Sequence, residues 1–109
     1  MSNIQLPKNI DEIKKFAEKI GIDVKYLLGE KYDGYLYLSS VESLPDNIQF
    51  NVGGYLNLSS VQSLPANIVF NVGDDLHLYS VESLPANVLF NVSRKIYLPT
   101  KHKVKVIWG

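Results

Sequence analysis

The chain contains no cysteine among its 109 residues, and it has one methionine and one tryptophan. The lack of cysteine excludes a disulfide framework and any metal site built on thiolates. No apolar run approaches the roughly 18 residues of a membrane span, and the N-terminus reaches charged residues before any stretch of signal-peptide length. These absences predict a cytoplasmic protein without membrane association, with a single domain over residues 1–109.

Basic residues are missing from a long central stretch. Residues 1–33 hold six lysines and six acidic residues, residues 34–93 hold five acidic residues and no basic one, and residues 94–109 hold five basic residues and no acidic one. Such segregation affects association more than fold. It predicts an acidic surface formed by Glu42, Asp46, Asp74, Asp75 and Glu82, and a basic tail formed by Arg94, Lys95, Lys101, Lys103 and Lys105.

A unit of 20 residues occurs three times, as GYLYLSSVESLPDNIQFNVG (34–53), GYLNLSSVQSLPANIVFNVG (54–73) and DDLHLYSVESLPANVLFNVS (74–93). A fixed period of this size is typical of stacked units that are each too small to bury their own apolar face. In the first unit Leu36 and Leu38 alternate with polar residues, as do Ile48, Phe50 and Val52, which predicts two short strands.

We therefore expect an α+β fold, a short right-handed β-solenoid of about four coils with two strands per coil. In such a stack Leu56 and Leu76 lie one above the other at neighbouring-strand distance. The glycines Gly53 and Gly54, between successive units, are typical of a tight turn with positive φ.

The pattern LPxNIxFNVGGxLxL resembles the short leucine-rich-repeat-like units of bacterial and phage proteins, over about residues 34–100. Standard leucine-rich repeats carry an asparagine after the LxL strand, where this chain has Ser59 and Ser60. The repeated asparagines instead lie in the other strand, at Asn51, Asn71 and Asn91. This difference favours a flattened two-sheet solenoid over a horseshoe with helices on its convex side.

Both ends of the repeat array carry candidate caps, which an open stack needs because exposed strand edges promote aggregation. Apolar residues at helical spacing predict a helix over residues 10–20 that ends at Gly21, with Asn9 or Asp11 as its N-cap. A short helical turn follows between Asp23 and Gly29, which completes an N-terminal cap over residues 1–33. Residues 94–109 form a degenerate repeat and a basic C-terminal cap, with Lys101, Lys103 and Lys105 alternating with apolar residues.

The sequence offers no catalytic motif, such as a nucleophile elbow, a zinc-protease helix or a phosphate loop. Its two histidines, His77 and His102, lie in different units. Asp75 and His77 share a strand face, but two ligands do not make a metal site. The sequence therefore predicts a non-catalytic protein with no metal and no cofactor.

The remaining functional signal is a set of outward-facing residues that vary between coils while the inward ones hardly change. Tyrosine is enriched at protein interfaces because it gives a large amphipathic contact at low entropic cost. It also favours strands and cross-strand packing, which is the purely structural interpretation. The predicted partner-binding residues are Tyr35, Tyr37, Tyr55, Asn57, Asp75, His77, Tyr79 and Tyr97.

We thus expect a protein-binding module that is a monomer or a weak homo-oligomer, with nucleic acid disfavoured as a partner. Two alternatives stay open. One is a phage-encoded inhibitor of a host defence nuclease complex, of the CRISPR type, acting through the acidic repeat body. The other is a nucleic-acid binder acting through the basic tail, whose affinity should fall steeply with salt.

Overall fold

The computed structural model describes residues 7–85 and 87–99 and is a small β-solenoid of about three turns, with parallel strands and one N-terminal α-helix. The predictions made for Lys101, His102, Lys103 and Lys105 lie outside the described residues. The helices are α1 (Ile10–Ile20) and a 3-10 helix (Val24–Leu27). The strands are β1 (Leu36–Tyr37), β2 (Gln49–Val52), β3 (Leu56–Asn57), β4 (Val69–Val72), β5 (Leu76–His77), β6 (Leu89–Val92) and β7 (Ile96–Tyr97).

The strands form two parallel sheets, one with the order β1-β3-β5-β7 and one with the order β2-β4-β6. Each strand pairs with the strand one repeat later, so Leu56 pairs with Leu76 and Phe50 pairs with Phe70. The register therefore advances by one full repeat at every step, and the predicted stacking of Leu56 on Leu76 is confirmed.

The core lies between the two sheets and consists of columns of identical or similar side chains. Leu56, Leu76 and Phe70 are fully buried. The rings of Phe50, Phe70 and Phe90 stack in parallel, with centroids 5.7 Å and 5.5 Å apart. No polar or charged residue is buried within residues 7–85 and 87–99. Repetition thus builds the core, because each apolar side chain packs on its own copy in the next coil.

The helix α1 closes the N-terminal end of this core. Ile13 and Ala17 face the core and are buried, and Leu27 of the 3-10 helix is buried beside them. The helix ends as predicted at Gly21, which has a left-handed conformation (φ 81°) and donates its N–H to Ala17 O. Asp23 caps the 3-10 helix by accepting a hydrogen bond from the N–H of Lys25. The predicted N-terminal helix and its end at Gly21 are therefore confirmed.

Asn9 occupies the N-cap position of α1, but its side chain makes no capping hydrogen bond to the helix backbone. Its amide nitrogen donates to the carbonyl oxygen of Asp46 at 2.8 Å, and its amide oxygen accepts from Asn47 Nδ2 at 3.0 Å. Asn47 in turn accepts from Asn67 Nδ2 at 3.2 Å. These hydrogen bonds attach the start of the helix to a column of asparagines at the turns of the repeats.

The glycines between the repeats were predicted to provide a positive φ, but the structure requires glycine there for another reason. Neither Gly53 nor Gly54 has a positive φ. Glycine is instead needed at Gly54 for close approach, since an added Cβ would lie 2.7 Å from the carbonyl oxygen of Gly34. Among the described residues, the non-glycine residues with a positive φ are Asn47 (φ 67°) and Asn67 (φ 59°), and asparagine tolerates this region better than most side chains do.

Within the described part of the chain, no helix has the length and apolar character that a crossing of the bilayer requires.

Candidate partner-binding surface

One outward face of the four-stranded sheet carries six ring side chains, which we name the aromatic surface. Because Leu36 and its equivalents point into the core, the residues on either side of them point outward. Tyr37, Tyr35 and Tyr79 are the most exposed, at 67%, 64% and 51% of their surface. The members of the aromatic surface are Tyr35, Tyr37, Tyr55, His77, Tyr79 and Tyr97.

Two pairs of rings on this surface stack face to face. The centroids of Tyr35 and Tyr55 lie 4.4 Å apart with an interplanar angle of 14°, and those of His77 and Tyr97 lie 4.8 Å apart with an angle of 6°. These distances match the spacing of neighbouring strands, about 4.7–4.9 Å. The ring faces within each pair therefore point at the neighbouring coil, so part of each face is covered.

Further contacts connect the two stacked pairs into one continuous surface across all four strands. Tyr55 meets His77 edge to face, with centroids 5.8 Å apart and an angle of 81°. Tyr79 contacts both His77 and Tyr97, with centroids 5.5 Å from each. The hydroxyl of Tyr79 lies 3.3 Å from Nδ1 of His77. These contacts hold the rings in defined orientations before any partner binds.

Tyr55 lies in the middle of this arrangement, and its titration is altered. Desolvation, and then the charge and hydrogen-bonding effects of Tyr37 and the charge effect of Tyr35, raise the pKa of Tyr55 above its ordinary value of about 10. The phenol is therefore protonated throughout the neutral range and can donate a hydrogen bond.

This shift gives a testable pH dependence. A raised pKa in the folded protein stabilises the fold fully below about pH 10, and this contribution is lost as the pH rises through the folded-state pKa. We expect the wild-type protein to lose more stability above pH 10 than Tyr55→Phe, in denaturant unfolding at stepped pH. The difference between the phenolate absorbance titrations of the two proteins should have its midpoint above 10, and a midpoint at or below 10 would contradict the shift.

Two of the predicted contact residues are engaged within the protein. The side-chain oxygen of Asn57 accepts hydrogen bonds from the backbone N–H and the hydroxyl of Ser59, at 3.0 Å and 2.8 Å. The carboxylate of Asp75 accepts from the backbone N–H of Lys95 at 3.2 Å. Both side chains thus stabilise local structure, and the rings are the groups that remain for a partner.

The five predicted acidic residues lie at four different positions of the 20-residue repeat, with Asp75 directly after Asp74. Glu42 and Glu82 occupy equivalent corners of the first and third repeats. Asp46 accepts a hydrogen bond from the next coil in the turn that follows the LP dipeptide. Asp74 lies on the opposite side of the repeat and forms an exposed ion pair with Arg94 at 3.3 Å. The acidic residues are thus distributed over several positions of the repeat, and the inhibitor hypothesis stays a prediction.

The described residues contain no group of three or more histidine, aspartate or glutamate side chains that could hold a metal ion. Asp75 and His77 do share one sheet face, as the sequence predicted, but no third ligand joins them in that part of the chain.

The sequence analysis missed a second feature, a groove between α1 and the first repeat. It lies along residues 37–45 and has a volume of about 600 Å³. The sequence signal that points to this groove is the serine that recurs at Ser40, Ser60 and Ser80. It was missed because the hydrogen bonds of this serine join neighbouring coils and are visible only once the coils are stacked.

No family model, no curated protein and no solved structure matches this chain. The function therefore has to be argued from the geometry of the surfaces.

Proposed function

We propose that the chain is a non-catalytic protein-binding module and that the aromatic surface contacts a partner rich in hydrogen-bond acceptors. The observation that carries this proposal is the exposure of Tyr35, Tyr37 and Tyr79 on one sheet face, each above half of its surface. Large exposed aromatic groups held in fixed orientations lose little entropy on binding, which is why tyrosine is frequent at binding sites.

The orientation of the rings favours a protein over a single-stranded nucleic acid. Bases bind such surfaces by stacking on exposed ring faces. Here the stacked pairs Tyr35–Tyr55 and His77–Tyr97 cover part of those faces, and the repeats from residue 34 to residue 93 contain no basic residue for a phosphate backbone.

The ring edges and hydroxyl groups of the aromatic surface favour contact with one particular kind of protein surface. Ring edges carry partial positive charge, and phenol hydroxyls donate hydrogen bonds. Both interact favourably with backbone carbonyls and with the carboxylates of aspartate and glutamate. The partner is therefore expected to present such acceptors opposite the aromatic surface.

The proposal also covers details of the solenoid that go beyond the about three turns described above. We propose that the solenoid is right-handed with two strands per coil, in the manner of the leucine-rich-repeat-like units it resembles, and that residues 94–109 complete a fourth coil. The pairing of Ile96 with Leu76 and of Tyr97 with His77 supports this, since it continues the same register.

The proposal predicts that the double variant Tyr37→Ala, Tyr79→Ala loses its partner but keeps its fold. A tyrosine that acts as a binding hot spot contributes about 2 kcal/mol or more, so the loss of even one should lower the affinity at least about thirtyfold. Surface substitutions of this kind change stability little, by about 1 kcal/mol or less. The measurement is affinity capture from the native host followed by mass spectrometry, with denaturant unfolding of the same proteins.

Leu89→Ala provides the matched control, because Leu89 is 45% exposed on the other sheet. A specific partner is a protein that the wild type and Leu89→Ala capture equally and the double variant does not. Tyr37→Phe, Tyr79→Phe should also weaken capture if the hydroxyls make the contact. Equal capture by the double alanine variant and the wild type, or retention of an oligonucleotide by the aromatic surface, would refute the proposal.

A further inference from the structure

The two sheets end differently at the N-terminal side of the solenoid. The outer edge of β2 is covered, because Tyr32 N–H donates to Asn51 O at 2.8 Å and Gly53 N–H donates to Tyr32 O at 2.9 Å. The strand β1 is the outermost strand of the other sheet, and no strand or isolated bridge of the described chain pairs with its outer side. One sheet edge is thus closed by the cap, and the other is open.

The groove named above lies along this open side and has the character of a binding site. Its volume of about 600 Å³ falls within the range of about 300–1,000 Å³ that is usual for such sites. Apolar groups from both walls line it, including Phe16 and Ile20 of α1 and Val41 and Leu44 of the first repeat. Lys15, Lys19, Glu12 and Glu42 contribute charged groups to the lining.

The repeats show what normally occupies this position, starting with the recurring serine. The hydroxyl of Ser60 donates to the carbonyl oxygen of Ser39 in the preceding coil, and the hydroxyl of Ser80 donates to that of Ser59 at 2.6 Å. Ser40 is the equivalent residue of the first repeat, before which the described residues contain no coil, and it lines the groove. Within the described residues its hydroxyl has no acceptor.

A backbone donor follows the same pattern two residues later. The N–H of Gln62 donates to Glu42 O at 3.3 Å, and the N–H of Glu82 donates to Gln62 O at 2.7 Å. The equivalent N–H of Glu42 is therefore directed at the place that a preceding coil would take, and no residue of the described ranges accepts a hydrogen bond from it. Ser40 and Glu42 thus offer two hydrogen-bond donors. The equivalent donors of the second and third repeats are both bonded to carbonyl oxygens of the preceding coil.

We propose that the groove binds an extended segment of a partner protein, which takes the place that a preceding coil would take. The segment offers two backbone carbonyls three residues apart, as Ser39 and Glu42 do in the chain itself, to the hydroxyl of Ser40 and the N–H of Glu42. An apolar side chain between those carbonyls, in the position of Val41, packs on the apolar lining. Adding a segment to an open sheet edge is a common mode of peptide recognition. Tyr37 lines both this groove and the aromatic surface, but the proposal does not rest on the function proposed for that surface, and the groove is tested through Ser40 and Ser43.

The probe for this site is a synthetic peptide of residues 56–66, LNLSSVQSLPA, capped at both ends and labelled with a fluorophore. Its carbonyls at Ser59 and Gln62 and its side chain at Val61 reproduce the proposed pattern. Fluorescence anisotropy with the full-length protein should give saturable binding. Ser40→Ala removes one hydrogen bond and should weaken it about three- to tenfold, with no change in stability.

Ser60→Ala is the matched control, since the hydroxyl of Ser60 is already bonded within the protein. It should lower stability and leave the affinity for the peptide unchanged. Ser43→Trp should block the groove and abolish binding, whereas Ser63→Trp, at the equivalent position one coil later and outside the groove, should not. The unfolding midpoints of all four variants show whether a loss of binding reflects a loss of fold.

Three outcomes would overturn the proposal. One is the absence of saturable binding to the folded wild type. Another is binding that Ser43→Trp leaves intact, because the peptide then occupies a different place. The third is self-association of the wild type that Ser43→Trp abolishes in sedimentation experiments, since the occupant would then be a second copy of this chain and not a different protein.

Discussion

Replacing Phe70 with alanine should lower the free energy of unfolding by about 3–5 kcal/mol. Phe70 is fully buried, and its ring stacks between those of Phe50 and Phe90 in the column that runs through the core. The truncation removes buried apolar surface and leaves a cavity that both neighbouring coils border. A domain of this size is typically stable by about 5–15 kcal/mol, so the loss is a large fraction of the total. Urea unfolding followed by far-ultraviolet circular dichroism measures it.

Val69→Ala is the control for this prediction. Val69 precedes Phe70 in β4 but points outward, and it is half-buried. Its truncation should cost about 1 kcal/mol or less. Similar losses for the two variants would show that the inward column does not supply most of the stability, contrary to the register of the two sheets.

The repeat allowed the main features of the fold to be predicted, because strand periodicity and a constant spacing both act locally. The alternation of Leu36 and Leu38 fixes which side of β1 faces inward, and the period fixes which residue lies above each. The helix α1 was equally predictable, since its apolar spacing and the stop at Gly21 are local signals.

Features that depend on contacts between coils were not predictable in the same way. The glycine at Gly54 is explained by the backbone of the preceding coil, which a single unit does not contain. Asn9 has the chemistry of a helix cap, but the turn at Asp46 competes for its side chain and forms the hydrogen bonds. The groove arises because α1 covers one sheet edge imperfectly, a property of how the cap docks.

The sequence predicts where the proposed partner-binding surface lies, but it does not predict how the rings on that surface are oriented. Alternation places Tyr35, Tyr55 and His77 outward. It does not determine that the rings stack face to face across strands, which decides whether ring faces or ring edges meet a partner. It also does not reveal that Asn57 turns back to Ser59, since this hydrogen bond depends on the local turn. The sequence thus indicates where the proposed contact surface lies, and the structure adds which groups that surface presents.

A change in the number of repeats should alter stability in proportion and leave the fold intact. Deleting residues 54–73 joins Gly53 to Asp74, so Leu36 would pair with Leu76 and Phe50 would stack on Phe90 in an unchanged register. In a repeat protein, stability is approximately a sum of terms for each unit and each interface. With about three turns sharing about 5–15 kcal/mol, the deletion should cost about 2–5 kcal/mol. Duplicating residues 54–73 should add a similar amount.

The central measurement is therefore the free energy of unfolding of three proteins with two, three and four 20-residue repeats. They are the deletion of residues 54–73, the wild type and the duplication of residues 54–73. A deletion of residues 54–63, half a period, serves as the out-of-register control and should not fold. We expect cooperative unfolding and a steady rise in stability from the deletion to the duplication. An unfolded deletion variant, or a duplication less stable than the wild type, would contradict the account of identical coils stacked on a common core.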